Sequence, residues 1–193
     1  ENALKNLNEG KILNSHDDEE SKKFFAELGL ISNKPYIIVC NVDEESVKKG
    51  NNHTENLRKK YPDQKLVIIC ADIESQIIDL KQEERDSYIQ NIGLEKTGLN
   101  QLIKTGYDLL NLNTFFTSGP EESRAWTIKK NTGAQKAAAV IHTDFEKNFI
   151  RAEAVSCEDF IKYGSAEKCK ENGKLRIEGK DYIVKDGDIL NFR

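Results

Sequence analysis

The chain has 193 residues, of which 37% are hydrophobic and 32% are charged, and its formal net charge is −4. This balance is typical of globular domains and argues against an intrinsically disordered polypeptide. No run approaches the roughly 20 consecutive apolar residues that span a bilayer, and residues 1–10 lack the apolar core of a signal peptide. We therefore expect a cytoplasmic protein without a membrane partner.

Residues 1–34 are predicted to be helical, because apolar side chains recur there at helical spacing, at Phe24, Phe25, Leu28 and Ile31. Acidic residues at 17–20 precede this stretch, where they favour a helix N-terminus, and Ser15 or Asp17 is a candidate cap. The sequence begins at Glu1 rather than at Met, so we expect a fragment of a longer protein.

A strand, a helix and a second strand are predicted next, at 36–40, 45–60 and 66–71. Both strand segments are continuous and apolar, as in strands covered on both faces. This order predicts a βαβ unit and hence a parallel sheet. Further helices are predicted at 75–80, 83–92 and 99–110.

The pattern changes at Asn111, where short strands alternate with turns. Strands are predicted at 114–117, 124–129, 149–155, 181–184 and 189–192, and helices at 134–141 and 166–172. Asp186, Gly187 and Asp188 are predicted to form a tight hairpin turn before the last strand. A mixed sheet around one main helix predicts an α+β domain of about 80 residues.

The segment Asn41-Val42-Asp43-Glu44 directly follows the first apolar strand. Ligands of open α/β sheets bind at the carboxyl ends of strands. Asn41 offers a donor and an acceptor, Val42 offers its backbone groups, and Glu44 offers acceptors when ionised. The alternative is an ordinary Asx turn and helix cap, which spacing alone favours.

Ala71 closes the second strand and is small enough to let the backbone approach a flat base; a strand end capped by Asp72 is the alternative. The chain contains no GxxxxGK[ST] motif, so it has no phosphate-binding loop of that kind. No Ser/His/Asp set stands out, and we identify no catalytic residue. Four cysteines lack CxxC spacing and three histidines are scattered, so we expect reduced thiols and no metal site.

The only tryptophan lies beside an arginine, because Arg124 and Trp126 alternate along one strand and share a face. Such a pair can stack on a nucleic-acid base or pack against a partner protein. The alternative is a core tryptophan with a surface arginine. Lys129 and Lys130 belong to a candidate basic patch, for which an ordinary solvated surface is the alternative.

Four sequence segments closely resemble those of one protein family. They are RAWTI at 124–128, AAAVIHTDFEK at 137–147, FIRAE at 149–153 and GKDYIVKDGD at 179–188. In this order they resemble the C-terminal part of the YchF family, the Obg-like ATPases of the translation-factor class of GTPases. The resemblance extends through Asn41–Glu44 and 98–110 and covers essentially the whole chain.

The resemblance implies three parts. Residues 1–34 would be the tail of a helical, coiled-coil insertion. Residues 35–110 would be the C-terminal part of an α/β nucleotide-binding domain of the P-loop NTPase class. Residues 111–193 would be a TGS domain, an α+β module with the ubiquitin-like β-grasp fold, in agreement with the α+β domain predicted from the strand pattern.

The resemblance also implies binding and hydrolysis of ATP in preference to GTP. Related GTPases read guanine with an NKxD motif, which in this family is NxxE, here Asn41 to Glu44. By the resemblance, the main-chain amide and carbonyl of Val42 meet adenine, and Ala71 lies in a second base-contact segment. The phosphate loop and any Mg²⁺ ligands would lie upstream, so we expect this chain alone to be inactive.

One further role is expected, and one alternative reading of the chain stays open. The resemblance implies association with ribosomal subunits or RNA, for which Arg124, Trp126, Lys129 and Lys130 are the candidate contacts. A non-catalytic binding or scaffold module is the alternative reading of the same chain.

Overall fold

The computed structural model describes residues 4–5, 8–9, 23–24, 27–31, 34–119 and 122–193. The chain forms two compact units, Glu1–Thr105 and Gly106–Arg193. The predicted caps Ser15 and Asp17 lie outside the described residues, as does Phe25. Phe24, Leu28 and Ile31 are exposed.

The first unit contains a two-stranded parallel sheet. Strand β1 (Ile37–Asn41) pairs with β2 (Lys65–Ile69), with Asn41 opposite Ile69, and helix α1 (Asn52–Lys60) connects them. This confirms the predicted strand–helix–strand order and parallel pairing. The helix begins at Asn52 rather than at 45 because Asn51 caps it, accepting from Thr54 N–H while the Thr54 hydroxyl oxygen accepts from Asn51 N–H.

Three helices follow in this part of the chain: α2 (Ala71–Ile78), α3 (Gln82–Asn91) and α4 (Gly98–Leu109). The prediction that Ala71 closes the second strand was wrong, since β2 ends at Ile69 and Ala71 is the first residue of α2. The expectation of strands covered on both faces also fails for the described residues, because Val39 is 42% exposed.

In its described residues, the second unit forms a five-stranded mixed sheet with four helices that follow the end of α4. Its strands are β3 (Leu112–Ser118), β4 (Ser123–Lys129), β5 (Ala152–Ser156), β6 (Arg176–Glu178) and β7 (Asp188–Phe192). The strand order is β4-β3-β7-β5-β6, in which β3 and β7 are parallel and the other pairs are antiparallel. The helices are α5 (Ala134–Ile141), α6 (Thr143–Lys147), α7 (Cys157–Tyr163) and α8 (Ala166–Glu171).

The core of the second unit lies between this sheet and helix α5. Ala134 and Ala137 of the helix are fully buried against Phe115 and Leu190 of the central strands. Alanine lets the helix approach the sheet closely, so that the large Phe115 ring fills the remaining space. The sheet therefore wraps one main helix, as the sequence pattern predicted.

Parts of the second unit differ from the prediction. Residues 181–184 form no strand; only an isolated bridge joins Ile183 to Gly133. The hairpin assigned to Asp186–Asp188 is therefore wrong, although a turn is present and Gly187 has a φ of +82°. Helices α6 and α7 and strand β6 were not predicted; each is seven residues or shorter, and such short elements carry little periodicity, although the equally short α8 was predicted.

No helix among the described residues combines the length and the apolar content that crossing a membrane requires.

The four thiols differ in burial, which leads to a labelling prediction. Cys40, Cys70 and Cys169 are at most 8% exposed, whereas Cys157 is half-buried. Burial also raises the pKa of the Cys169 thiol. We expect one thiol to react rapidly with Ellman's reagent in the native protein and four after denaturation. Cys157→Ser should remove the rapid phase; its persistence in that variant would contradict the burial described.

Candidate functional site

Asn41 and Ala71 meet at the carboxyl end of the parallel sheet. The backbone N–H of Ala71 donates to Oδ1 of Asn41 over 3.0 Å. Cys70, the residue before α2, makes no side-chain cap, so Asn41 caps a helix that begins 30 residues later. Because its oxygen faces a donor, the Asn41 amide nitrogen faces the other way and remains available as a donor.

Val42 continues the connection between the strand ends. Its N–H donates to the carbonyl of Ile69 over 2.9 Å. This amide is therefore occupied within the protein, whereas no hydrogen bond to the Val42 carbonyl occurs among the residues that the structure describes. The resemblance implied that both groups meet adenine, but the amide donates to Ile69.

The next residue, Asp43, forms the local turn. Its Oδ1 accepts from Ser46 N–H over 2.8 Å. Hydrogen bonds from Ser46 hold the pKa of this carboxyl below its usual value. Asp43 therefore forms a local capped turn through a bond three residues on rather than an Asx turn, and Asn41 instead connects the end of β1 to the start of α2.

Glu44 is held by two residues that sequence reasoning did not identify. The Gln76 side-chain amide donates to Oε1 of Glu44 over 3.2 Å, and the Tyr88 hydroxyl donates to Oε1 of Gln76 over 2.6 Å. Gln76 lies on α2 and Tyr88 on α3. A separation of 32 residues between Glu44 and Gln76 left no local signal for this contact.

Glu74 and Gly98 support the same edge of the sheet. The Glu74 carboxylate accepts from the N–H groups of Gly98 and Leu99, over 2.6 and 3.3 Å, and so caps helix α4. A Cβ at Gly98 would lie 2.6 Å from Cγ2 of Ile69, the last residue of β2. Only glycine therefore lets α4 begin this close to the strand end.

The second unit contains a separate cleft beside Trp126, with a volume of about 360 Å³. The Arg124 guanidinium lies 5.9 Å from the Trp126 ring centroid, so the two side chains share a face. Nε1–H of Trp126 donates to the Thr117 hydroxyl over 2.9 Å, and Arg124 forms an ion pair with Glu122 over 2.9 Å. Exposed Phe145 completes the apolar wall.

Lys129 and Lys130 do not join this cleft. Lys129 lies five positions along the extended strand from Arg124, a distance of about 17 Å. The Lys129 ammonium donates to the Leu110 carbonyl over 3.1 Å, and Lys130 pairs with Asp108 over 2.7 Å. The structure thus brings Arg124 and Trp126 together and places the two lysines at the opposite end of β4.

A polar network that the sequence did not predict joins β6 to β7. Asp188 is 3% exposed and accepts from the Arg176 guanidinium at 3.0 Å, the Tyr182 hydroxyl at 2.6 Å and Lys185 N–H at 2.9 Å. Burial and the bond to Asp188 raise the pKa of Tyr182 to about 12. Burial lowers the pKa of Arg176, but its contacts with Tyr182, Asp188 and Glu178 outweigh this and raise it overall.

The raised pKa of Tyr182 predicts alkaline destabilisation. The folded state favours the neutral phenol, so its contribution to stability is complete below pH 10 and is lost as the pH approaches about 12. We expect the free energy of unfolding to fall more steeply over this interval in the wild type than in Tyr182→Phe. Urea titrations of both proteins at pH 9 and pH 11.5 measure the free energy of unfolding at each pH. An equal loss in the two proteins between these pH values would contradict the raised pKa of Tyr182.

Comparison with known proteins identifies relatives over the whole chain. A family model named YchF-GTPase_C, with the description "Protein of unknown function (DUF933)", matches residues 112–193. The Escherichia coli O157:H7 protein named "Ribosome-binding ATPase YchF" is 45% identical over 195 residues, which cover 100% of this chain and 53% of that protein. The Bacillus subtilis protein of the same name is 43% identical over 179 residues, covering 91% and 49%.

Solved structures agree with these relatives. The Schizosaccharomyces pombe YchF GTPase superposes with a TM-score of 0.81 at 30% identity, covering 100% of this chain and 52% of that one. A GTP-binding protein from Pyrococcus horikoshii superposes with a TM-score of 0.53 at 18% identity, which shows likeness of fold alone. The chain spans about half the length of the curated relatives it matches.

Proposed function

The chain belongs to the YchF family, and on this premise we propose that it supplies the base-recognition end of an ATP-binding domain in an ATP hydrolase. The observation that carries the proposal is the bond between Asn41 and Ala71 N–H, which joins the end of β1 to the start of α2, two residues beyond β2. Ligands of α/β sheets bind at this edge. The relatives' name, ribosome-binding ATPase, supports the same activity.

The chemistry of the strand ends favours a purine, and adenine among purines. The free amide nitrogen of Asn41 is a donor for the purine N7, an acceptor that adenine and guanine share. The Val42 carbonyl and the Glu44 carboxylate are acceptors. They suit the exocyclic N6 amino group of adenine and repel the O6 of guanine. ATP is therefore the proposed substrate, in preference to GTP.

Hydrolysis itself needs groups beyond these contacts. Phosphoryl transfer depends on positioning and neutralising the phosphates, and the sequence carries no GxxxxGK[ST] motif. No cluster of three or more His, Cys, Asp or Glu side chains suited to a metal ion occurs among the described residues. We propose that the phosphate loop and the Mg²⁺ ligands lie in the remainder of the intact protein, and that this chain alone turns over no ATP.

Asn41→Asp tests the base contact with little change to the fold. The substituted side chain keeps an oxygen for Ala71 N–H and loses the amide donor. We expect the intact protein to bind ATP and GTP about tenfold more weakly each, with their affinity ratio unchanged, because one hydrogen bond to a shared purine atom is lost. Isothermal titration calorimetry with both nucleotides measures the two affinities.

Glu44→Ala tests the choice between purines. We expect the ATP preference of the intact protein to shrink, because an acceptor aimed at the N6 amino group is removed. The matched control is Glu45→Ala, which removes a neighbouring exposed carboxylate and should leave both affinities unchanged. A preference of the intact wild type for GTP would refute the proposal.

The arrangement of the second unit supports the assignment of residues 111–193 to a TGS domain. Its five-stranded mixed sheet, with order β4-β3-β7-β5-β6 around helix α5, has the connectivity of a β-grasp module. We propose that residues 35–110 are the C-terminal part of the nucleotide-binding domain and residues 1–34 the tail of a helical insertion. The division between compact units falls nearby, after Thr105.

Association with ribosomal subunits or RNA is the second proposed role, and the Arg124–Trp126 cleft is its contact surface. The guanidinium, the indole and the exposed Phe145 offer planar groups on which an unstacked base can pack. The ring of Trp126 is half-buried and bonded to Thr117, so it serves the core as well as the cleft. Lys129 and Lys130 belong to a different part of the surface and are secondary candidates.

Arg124→Gln tests this second role. We expect weaker co-sedimentation of the intact protein with ribosomes at low salt, by about two- to tenfold in affinity, since one cationic stacking contact is removed. Lys162→Gln makes the same change of charge on helix α7, away from the cleft, and serves as the control. If both variants and the wild type pellet equally, the cleft makes no ribosome contact, and the scaffold role remains for this surface.

A further inference from the structure

Two hydrogen bonds connect the candidate base-reading carboxylate to helix α3. The Tyr88 hydroxyl donates to Oε1 of Gln76 over 2.6 Å, and Nε2 of Gln76 donates to Oε1 of Glu44 over 3.2 Å. The two ends of the Gln76 amide therefore face different partners. Because a hydroxyl donor faces the amide oxygen, the amide nitrogen is directed at Glu44, and Gln76 presents a donor there rather than an acceptor.

Glu44 depends on this donor for its position. It lies in a turn after β1 rather than in a helix or strand, and its side chain is exposed. No other hydrogen bond or ion pair of its carboxylate occurs in the part of the chain that the structure describes. An exposed glutamate without a partner samples several rotamers. The contact with Gln76 is thus what fixes the carboxylate on the side of helix α2.

The position of a carboxylate decides which purine it favours. Beside the N6 or O6 substituent it accepts from adenine and repels guanine, whereas beside guanine N1 and N2 it accepts from two donors. A mobile Glu44 would reach both edges and discriminate poorly. We propose that Gln76, oriented by Tyr88, is a positioning residue that holds Glu44 where it favours adenine over guanine. This inference rests on the function proposed above.

The test uses ATP and GTP affinities of the intact protein, expressed as the ratio of the two dissociation constants. In Gln76→Leu we expect the preference for ATP to decrease by a factor of about two to ten. This factor corresponds to the net contribution of one hydrogen bond. Tyr88→Phe should lower it in the same direction and by less, because the amide remains but can rotate. Gln76→Lys should restore the preference, since an ammonium group also donates to Glu44.

Gln82→Leu is the matched control, because Gln82 is an exposed glutamine whose amide bonds to Asp86 on its own helix. It should leave the ratio unchanged. If the wild type prefers ATP and Gln76→Leu keeps the full preference, the positioning role is overturned while the proposed function stands. An equal loss of ATP and GTP binding in Gln76→Leu, or no recovery in Gln76→Lys, also overturns it. A wild type without ATP preference overturns the proposed function itself.

Discussion

Replacing Asp188 with Ala is expected to lower the free energy of unfolding of the second unit by about 3 to 5 kcal/mol. The carboxylate is 3% exposed and accepts from Arg176, Tyr182 and the backbone of Lys185. Its removal leaves the Tyr182 phenol and Nη2 of Arg176 without this acceptor, while Nη1 of Arg176 keeps its contact with Glu178. Losing a buried acceptor costs more than its bonds contribute, because partly buried donors such as the Lys185 N–H and the Tyr182 hydroxyl are left without an acceptor.

Urea denaturation followed by circular dichroism measures this loss. Asp181→Ala is the matched control, because Asp181 lies in the same segment and is exposed; we expect a change within about 0.5 kcal/mol. Tyr182→Phe removes one of the three bonds and should cost less than Asp188→Ala. A loss below about 1 kcal/mol for Asp188→Ala would mean that water replaces the carboxylate and that the network adds little to stability.

Replacing Phe115 with Ala is expected to destabilise the second unit by a similar amount, about 3 to 5 kcal/mol. Phe115 is fully buried on the central strand β3 and contacts the edge of the Phe192 ring at a centroid distance of 6.0 Å. Its substitution removes apolar contacts and leaves a cavity under helix α5. Backbone pairing on both sides of β3 limits how far the structure can collapse into that space.

Phe145→Ala is the control for this substitution. Its ring is 47% exposed at the edge of the Trp126 cleft, so its truncation should cost about 1 kcal/mol or less. Thermal unfolding of the two variants and the wild type measures the difference. Similar melting temperatures for Phe115→Ala and Phe145→Ala would contradict the position of the core described here.

The sequence predicted the elements whose signals are local. The apolar runs at 36–40 and 66–71 marked strands, and the charged segment between them marked a crossover helix, as β1, α1 and β2 confirm. The helix at Ala134–Ile141 was also predicted correctly. The segment 181–184 was read as a strand because of its apolar residues. Its backbone bonds instead to a loop, with Val184 N–H donating to Thr132, and such a bond has no local pattern.

The candidate site was partly predictable for the same reason. The position of Asn41 to Glu44 after an apolar strand was visible in the sequence, and so was the alternation of Arg124 and Trp126. The sequence did not show that Val42 uses its amide on Ile69 or that Lys129 and Lys130 lie away from the cleft. These outcomes depend on which distant backbone and side-chain groups face each other.

The sequence alone therefore determined the strand–helix–strand unit, helix α5 and the residue types after β1, because periodicity and motif spacing are properties of neighbouring residues, and its segments from 124 to 188 carried the resemblance to the family. The tertiary structure decided the partners: Ala71 for Asn41, Gln76 for Glu44, and Arg176 and Tyr182 for Asp188. Directional hydrogen bonds form only after the elements pack, and they join residues 6 to 32 positions apart, so no local pattern encodes them.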